Sequence, residues 1–207
     1  MNKTERSKEK CVGIEVNQPV LSMRAYLNRN LRKADQPELE LPFPSFQASY
    51  KKGEVVSDFG IIENRFYYLK SGMVEVCIKK ERSFAVLDFH FPDHWFCAYT
   101  SMLLRQPSDV KISALTEIEV EYGELDDLKE AYRKSITANH LGRHLTELIY
   151  LSKVQKEKDL LTKTAKTRYY DLVSKNSEFI QNLPIGKIAQ FLGIHPESLS
   201  RIRKSGN

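Results

Sequence analysis

At 207 residues, with 41% hydrophobic and 29% charged residues, the chain can bury a real core and is not composed like a disordered or fibrous protein. No apolar run approaches the ~18 residues a membrane helix needs. The charged residues 1–10 are not followed by a signal-peptide core, so a cytoplasmic location is expected. Cys11, Cys77 and Cys97 are odd in number and irregular in spacing, which excludes a disulfide framework and a CxxC-type metal or iron–sulfur pattern. The net charge is +5, and from Lys163 onward eight bases face three acids, so the tail alone carries that excess. Such concentration fits a polyanion partner, although a solvated basic face looks the same.

Residues 1–18 are polar and without period, and are expected as a loose arm. Val20, Met23, Leu27 and Leu31 have helical spacing, and three prolines between 37 and 44 end that helix. Short runs rich in β-branched and aromatic residues then recur at 45–50, 54–58, 65–69, 74–79, 83–91, 110–114 and 117–122. Turn signals at Lys52-Gly53, Lys70-Ser71-Gly72 and Pro92-Asp93 punctuate them, which predicts a β-sandwich or barrel over 19–124. Ile118, Val120 and Tyr122 alternate with Glu117, Glu119 and Glu121, as in a strand with one wet face.

Residues 125–161 read as one long helix, almost free of Gly and Pro, with Gly142 the exception. Leu141, Leu145 and Leu148 form its apolar stripe, which either packs on the chain's own β-domain or makes a two-stranded seam with a second copy. A short helix over 164–172 and a polar turn at 174–177 follow, opening a C-terminal unit at 162–207.

Within that unit, residues 185–204 read IGKIAQFLGIHPESLSRIRK. Two helices crossing steeply need a small residue at the crossing, a left-handed turn position and an apolar inner face. Ala189, Gly193 and the set Ile188, Leu192, Ile194, Leu199 and Ile202 supply them, and Pro196 suits a first helical turn. An αα-corner could bury the same set. The outer face of the second helix, however, carries His195, Glu197, Ser198, Ser200, Arg201 and Lys204 and no apolar residue. A recognition helix enters the major groove with its N-terminal half at the base edges. Arg201 can bond guanine O6 and N7, Glu197 can accept from a cytosine amino group, and Ser200 is short enough to bond base or phosphate. Lys166, Lys187, Ser198, Arg203 and Lys204 are read as phosphate contacts.

Tyr50-Lys51-Lys52-Gly53-Glu54-Val55, the run from Phe66 to Val76 (FYYLKSGMVEV) and Glu197-Ser198-Leu199-Ser200-Arg201 together resemble the Crp/Fnr family, named for the cyclic AMP receptor protein and the fumarate–nitrate regulator. The resemblance extends over roughly 19–207 and is similar to Bacteroidetes-type members. It implies an α+β chain with an N-terminal double-stranded β-helix (jelly-roll) sensor, a long dimerisation helix and a C-terminal winged helix-turn-helix. It also implies a homodimer on double-stranded DNA and contact with RNA polymerase. Cyclic-AMP-binding members hold the ribose with a Gly-Glu pair and the phosphate with an Arg-Ser/Thr pair. The matching positions here, a candidate effector pocket, are Cys97-Ala98 and Ser108-Asp109. The phosphate arginine is missing and Asp109 would repel an anion, so cyclic AMP is not expected and any small-molecule effector is unassigned. A single Cys11 cannot hold an iron–sulfur cluster, and only three residues follow Lys204, so a shortened reading helix is expected.

His90, His94 and Cys97 have ligand-like spacing but lie at a strand end and turn with no fourth ligand, so no metal or cofactor is expected. His140 and His144 share a helix face without the glutamate of a zinc protease. No phosphate loop, GxSxG or Cys/His dyad points to catalysis. The alternative from another class is a small-molecule-binding module whose helical tail docks to a protein rather than to DNA.

Overall fold

The computed structural model describes residues 21–81 and 83–205; the expected arm, Val20 and Cys11 lie outside them. Ser22 opens the first helix, α1 (Met23–Leu31), its hydroxyl accepting from the Ala25 N–H at 3.1 Å. The Met23 N–H donates to Glu121 Oε2 at 2.7 Å. Glu121 is therefore buried, contrary to the wet face expected for it, because its carboxylate meets the positive end of α1. Glu117 and Glu119 do stay exposed.

The strands are β1 (Phe46–Tyr50), β2 (Val55–Ser57), β3 (Arg65–Ser71), β4 (Val74–Lys79), β5 (Phe84–His90), β6 (Trp95–Phe96), β7 (Val110–Ala114) and β8 (Ile118–Glu124). They form two antiparallel four-stranded sheets, ordered β1-β8-β3-β6 and β2-β7-β4-β5, in a jelly-roll-like sandwich. The β-branched and aromatic runs of the sequence find all of these except β6, whose two residues are too few to make a run. The short helix α2 (Tyr99–Leu104) was likewise not expected.

Between the sheets lie Tyr67, Leu69, Val74, Val76, Ile112 and Val120. Strand alternation sends Phe66 and Tyr68 the other way, into a second core with Leu27 of α1 and the helices after β8. Both faces of β3 are thus covered, which explains its unbroken apolar run. The turn into β4 depends on Gly72: its φ is 80° and a Cβ there would lie 2.2 Å from the Glu117 carbonyl oxygen.

The single helix expected over 125–161 is two, α3 (Leu125–Lys134) and α4 (Ile136–Thr162). Ser135 divides them by capping α4, its hydroxyl accepting from the Ala138 N–H at 3.2 Å. Gly142 leaves room for Tyr132 of α3, whose hydroxyl would lie 2.3 Å from a Cβ at that position. Leu141 is buried and Leu145 partly buried in the core with α1. Of the two partners open to this stripe, the chain's own β-domain takes Leu141 and part of Leu145, while Leu148 is 44% exposed.

Helix α5 (Ala165–Ile180) runs straight through the turn expected at 174–177. Phe179 and the fully buried Ile180 continue the apolar face begun by Tyr169 and Leu172, and that burial overrides the local polar residues. Two short helices follow, α6 (Ile185–Leu192) and α7 (Pro196–Lys204). Among the described residues no strand follows β8, so the wing implied by the resemblance is missing from them: residues 165–180 carry helical, not alternating, spacing. No described helix is long and apolar enough to cross a membrane.

Candidate nucleic-acid interface

Helix α6 ends because Gly193 turns left-handed, with φ 69°. The Gly193 and Ile194 N–H groups then close on the Gln190 and Ala189 carbonyls at 3.2 and 3.0 Å. Pro196 starts α7, where its missing N–H is no loss, and the His195 carbonyl accepts from Ser198 and Leu199. Ile188, Ala189, Leu192 and Leu199 are 0–2% exposed and lock the two helices together. This buried side fixes which face of α7 looks outward.

Glu197, Ser198, Arg201 and Lys204 are exposed on that outward face, and Ser200 is half-buried. Glu197 lies in the first turn of α7 and Arg201 and Lys204 in the last, each favourable for the helix dipole. Lys166 is exposed near the start of α5. Two of the expected phosphate contacts are engaged elsewhere. Arg203 turns back to α5, its Nε donating to Tyr169 Oη at 3.1 Å and its guanidinium lying 5.7 Å from that ring. Lys187 Nζ is 2.6 Å from Glu75 Oε1 on β4. Neither Glu75 nor Tyr169 was singled out from the sequence, where Glu75 looks like an ordinary outward acid in an alternating strand.

The four candidate effector positions are distributed unevenly. Ala98 is buried between the sheets, and burial pushes the neighbouring Cys97 thiol up. Ser108 is buried with its polar groups spent within the chain: its N–H donates to Ile61 O, its carbonyl accepts from Gly60 and its hydroxyl donates to Val110 O, each at 2.8 Å. Asp109 is exposed. An open cleft of about 380 Å³ lies near Ser57, Glu63, Tyr67 and Glu124, and none of the four positions lines it. His90 stacks on Phe96 at 5.6 Å, and His94 Nδ1 accepts from the Phe91 N–H at 3.5 Å. His144 meets Tyr26 Oη at 3.3 Å, whereas His140 is exposed.

Residues 47–135, the roll and α3, match the family model of the cyclic nucleotide-binding domain. Three solved structures are similar over 78% of this chain. FixK2 from Bradyrhizobium japonicum is 18% identical, with 84% of its chain covered and a TM-score of 0.64. A putative transcriptional regulator of the Crp/Fnr family from Eubacterium rectale is 15% identical, with 77% covered and a TM-score of 0.63. CLP, the c-di-GMP-responsive global regulator of Xanthomonas campestris, is 15% identical, with 86% covered and a TM-score of 0.61. The fold is that of the Crp/Fnr regulators. No curated protein matches the sequence. In this Crp/Fnr fold the roll matched by that model precedes α4, and the exposed face of α7 stands at the far end of the chain.

Proposed function

We propose that the chain is a sequence-specific DNA-binding transcription regulator acting as a homodimer on a palindromic operator. The observation that carries this is the two-sidedness of α7. Its inner side is locked by the fully buried Leu199, while Glu197, Ser198, Arg201 and Lys204 face solvent with no apolar residue among them. A helix-turn-helix in residues 162–207 accounts for that pattern, with Glu197, Ser200 and Arg201 reading base edges. Lys166, Ser198 and Lys204 hold phosphates from the outset, and Lys187 and Arg203 join once they leave their internal partners.

The second copy joins along α4. Leu148, Leu151 and Leu161 are 44%, 61% and 81% exposed, so this part of the helix carries apolar surface that its own β-domain does not cover. The roll, residues 19–124, is the sensor. With Asp109 exposed and no arginine at the Ser108 position, its effector is a molecule other than cyclic AMP. RNA polymerase is the further partner that regulators of this fold imply.

Selection of duplexes from a random pool tests the proposal, followed by binding across a salt series. A preferred palindrome whose affinity falls steeply with salt is expected, because neutralised phosphates release counterions. If no duplex is retained even at low salt, the tail docks to a protein instead and the DNA reading is wrong.

A further inference from the structure

Strand β4 places a buried carboxylate between Phe89 of β5 and Ser113 of β7. Glu75 is 7% exposed and shares the outer face of β4 with Cys77, opposite Phe89 on β5. Its Oε1 meets Lys187 of α6 at 2.6 Å, and its Oε2 has no N–H or O–H partner. The Cys77 thiol beside it is pushed up by burial and by this carboxylate. Around the pair, α6 lies on β5. Phe191 packs on Phe89 at 5.1 Å, and Phe91 on Phe179 of α5 at 5.5 Å. Lys156 of α4 completes the junction, its Nζ lying 4.4 Å from the Phe191 ring centre and donating to the Leu87 carbonyl.

A buried carboxylate whose further partner beside Lys187 is the weak Cys77 S–H donor repays little of its desolvation cost. Lys187, by contrast, is about one-third exposed and can be reached by another anion. A DNA phosphate offers that lysine a charge-assisted bond of the same kind. Its single positive charge would then be shared between two anions that repel one another, so each contact weakens the other.

The geometry points to a latch in which Glu75 holds the C-terminal helices on the β-roll through Lys187 and competes with DNA phosphate for that lysine. The DNA half of this inference rests on the function proposed above; the latch itself needs no DNA. By linkage, whatever strengthens the Glu75–Lys187 contact weakens operator binding, and operator binding loosens the helices from the roll.

Two measurements on the full chain test it. Lys187→Gln leaves Glu75 buried without a counter-charge, so amides in β5 and α6 should exchange with solvent roughly tenfold faster or more. Unchanged exchange would overturn the latch. In a double-mutant cycle on the selected duplex, the near-isosteric Glu75→Gln should raise affinity several-fold, since the lysine's charge is no longer shared with a carboxylate. Lys187→Gln should then cost more affinity in the Glu75→Gln background than in the wild type. Equal costs in both backgrounds would refute the competition. If no variant binds any duplex, the DNA reading fails, and amide exchange alone decides the latch.

Discussion

His90 and His94 show how burial dominates the charge of a side chain here. Loss of hydration pushes the His90 pKa down to about 4, with the Asp88 carboxylate opposing that fall, and His94 moves down for the same first reason. An unfolded imidazole titrates near ~6.5. Between these values the unfolded chain takes up a proton that the native one refuses, so stability is full above about 6.5 and drains as pH falls toward about 4. Thermal melts across this range should show that decline, and His90→Gln should flatten it; parallel curves would assign the loss to carboxylates elsewhere. Arg201 stands at the opposite extreme, exposed and aimed outward. Arg201→Ala should cost about 1–3 kcal/mol of duplex affinity and relax preference at one base position. An equal loss on every sequence would make Arg201 a phosphate contact only.

Helix α4 buries Leu141 in the chain's own core and leaves Leu148 and Leu151 exposed, where the proposed dimer would place the second copy. Leu141 is 2% exposed against α1, so Leu141→Ala should lower the stability of the folded chain by about 2–5 kcal/mol in denaturant melts. Leu148 and Leu151 are 44% and 61% exposed; changing both to Ala should leave that stability nearly intact and shift sedimentation toward monomer. A double variant that remains as dimeric as the wild type would remove α4 from the dimer interface. These elements also mark how far the sequence was legible. The strands were readable because short runs rich in β-branched and aromatic residues are set off by turn signals, and the α6–α7 corner because Ala189, Gly193, Pro196 and Leu199 each meet a local geometric requirement. The break at Ser135 and the continuation of α5 through Ser174–Ser177 were not. A serine favours a cap or a turn equally well, and only the contacts of Tyr132 with α4 and of Ile180 with the C-terminal core decide.

At the scale of the molecule, the proposed dimer places two α7 helices on one duplex. Selected operators should carry inverted half-sites about one helical turn, ~10 base pairs, apart, and a single half-site should bind far more weakly. Footprints of one isolated half-site bound equally well would argue for a monomeric reader. Within one chain, the β-roll and the C-terminal helices share a single core, in which Val86 and Phe89 of β5 join Ile188 and Leu192 of α6. The sequence by itself determined the roll, the long helical stretch and the outward chemistry of α7, because each rests on spacing within a few residues. It also showed the basic tail. Only the tertiary structure decided that Leu141 belongs to the chain's own core, that Glu121 caps α1 and that Lys187 is held by Glu75. Those partners lie far away in sequence, 98 residues for Glu121 with Met23 and 112 for Glu75 with Lys187. No local pattern records a contact made by packing one sheet face against a distant helix.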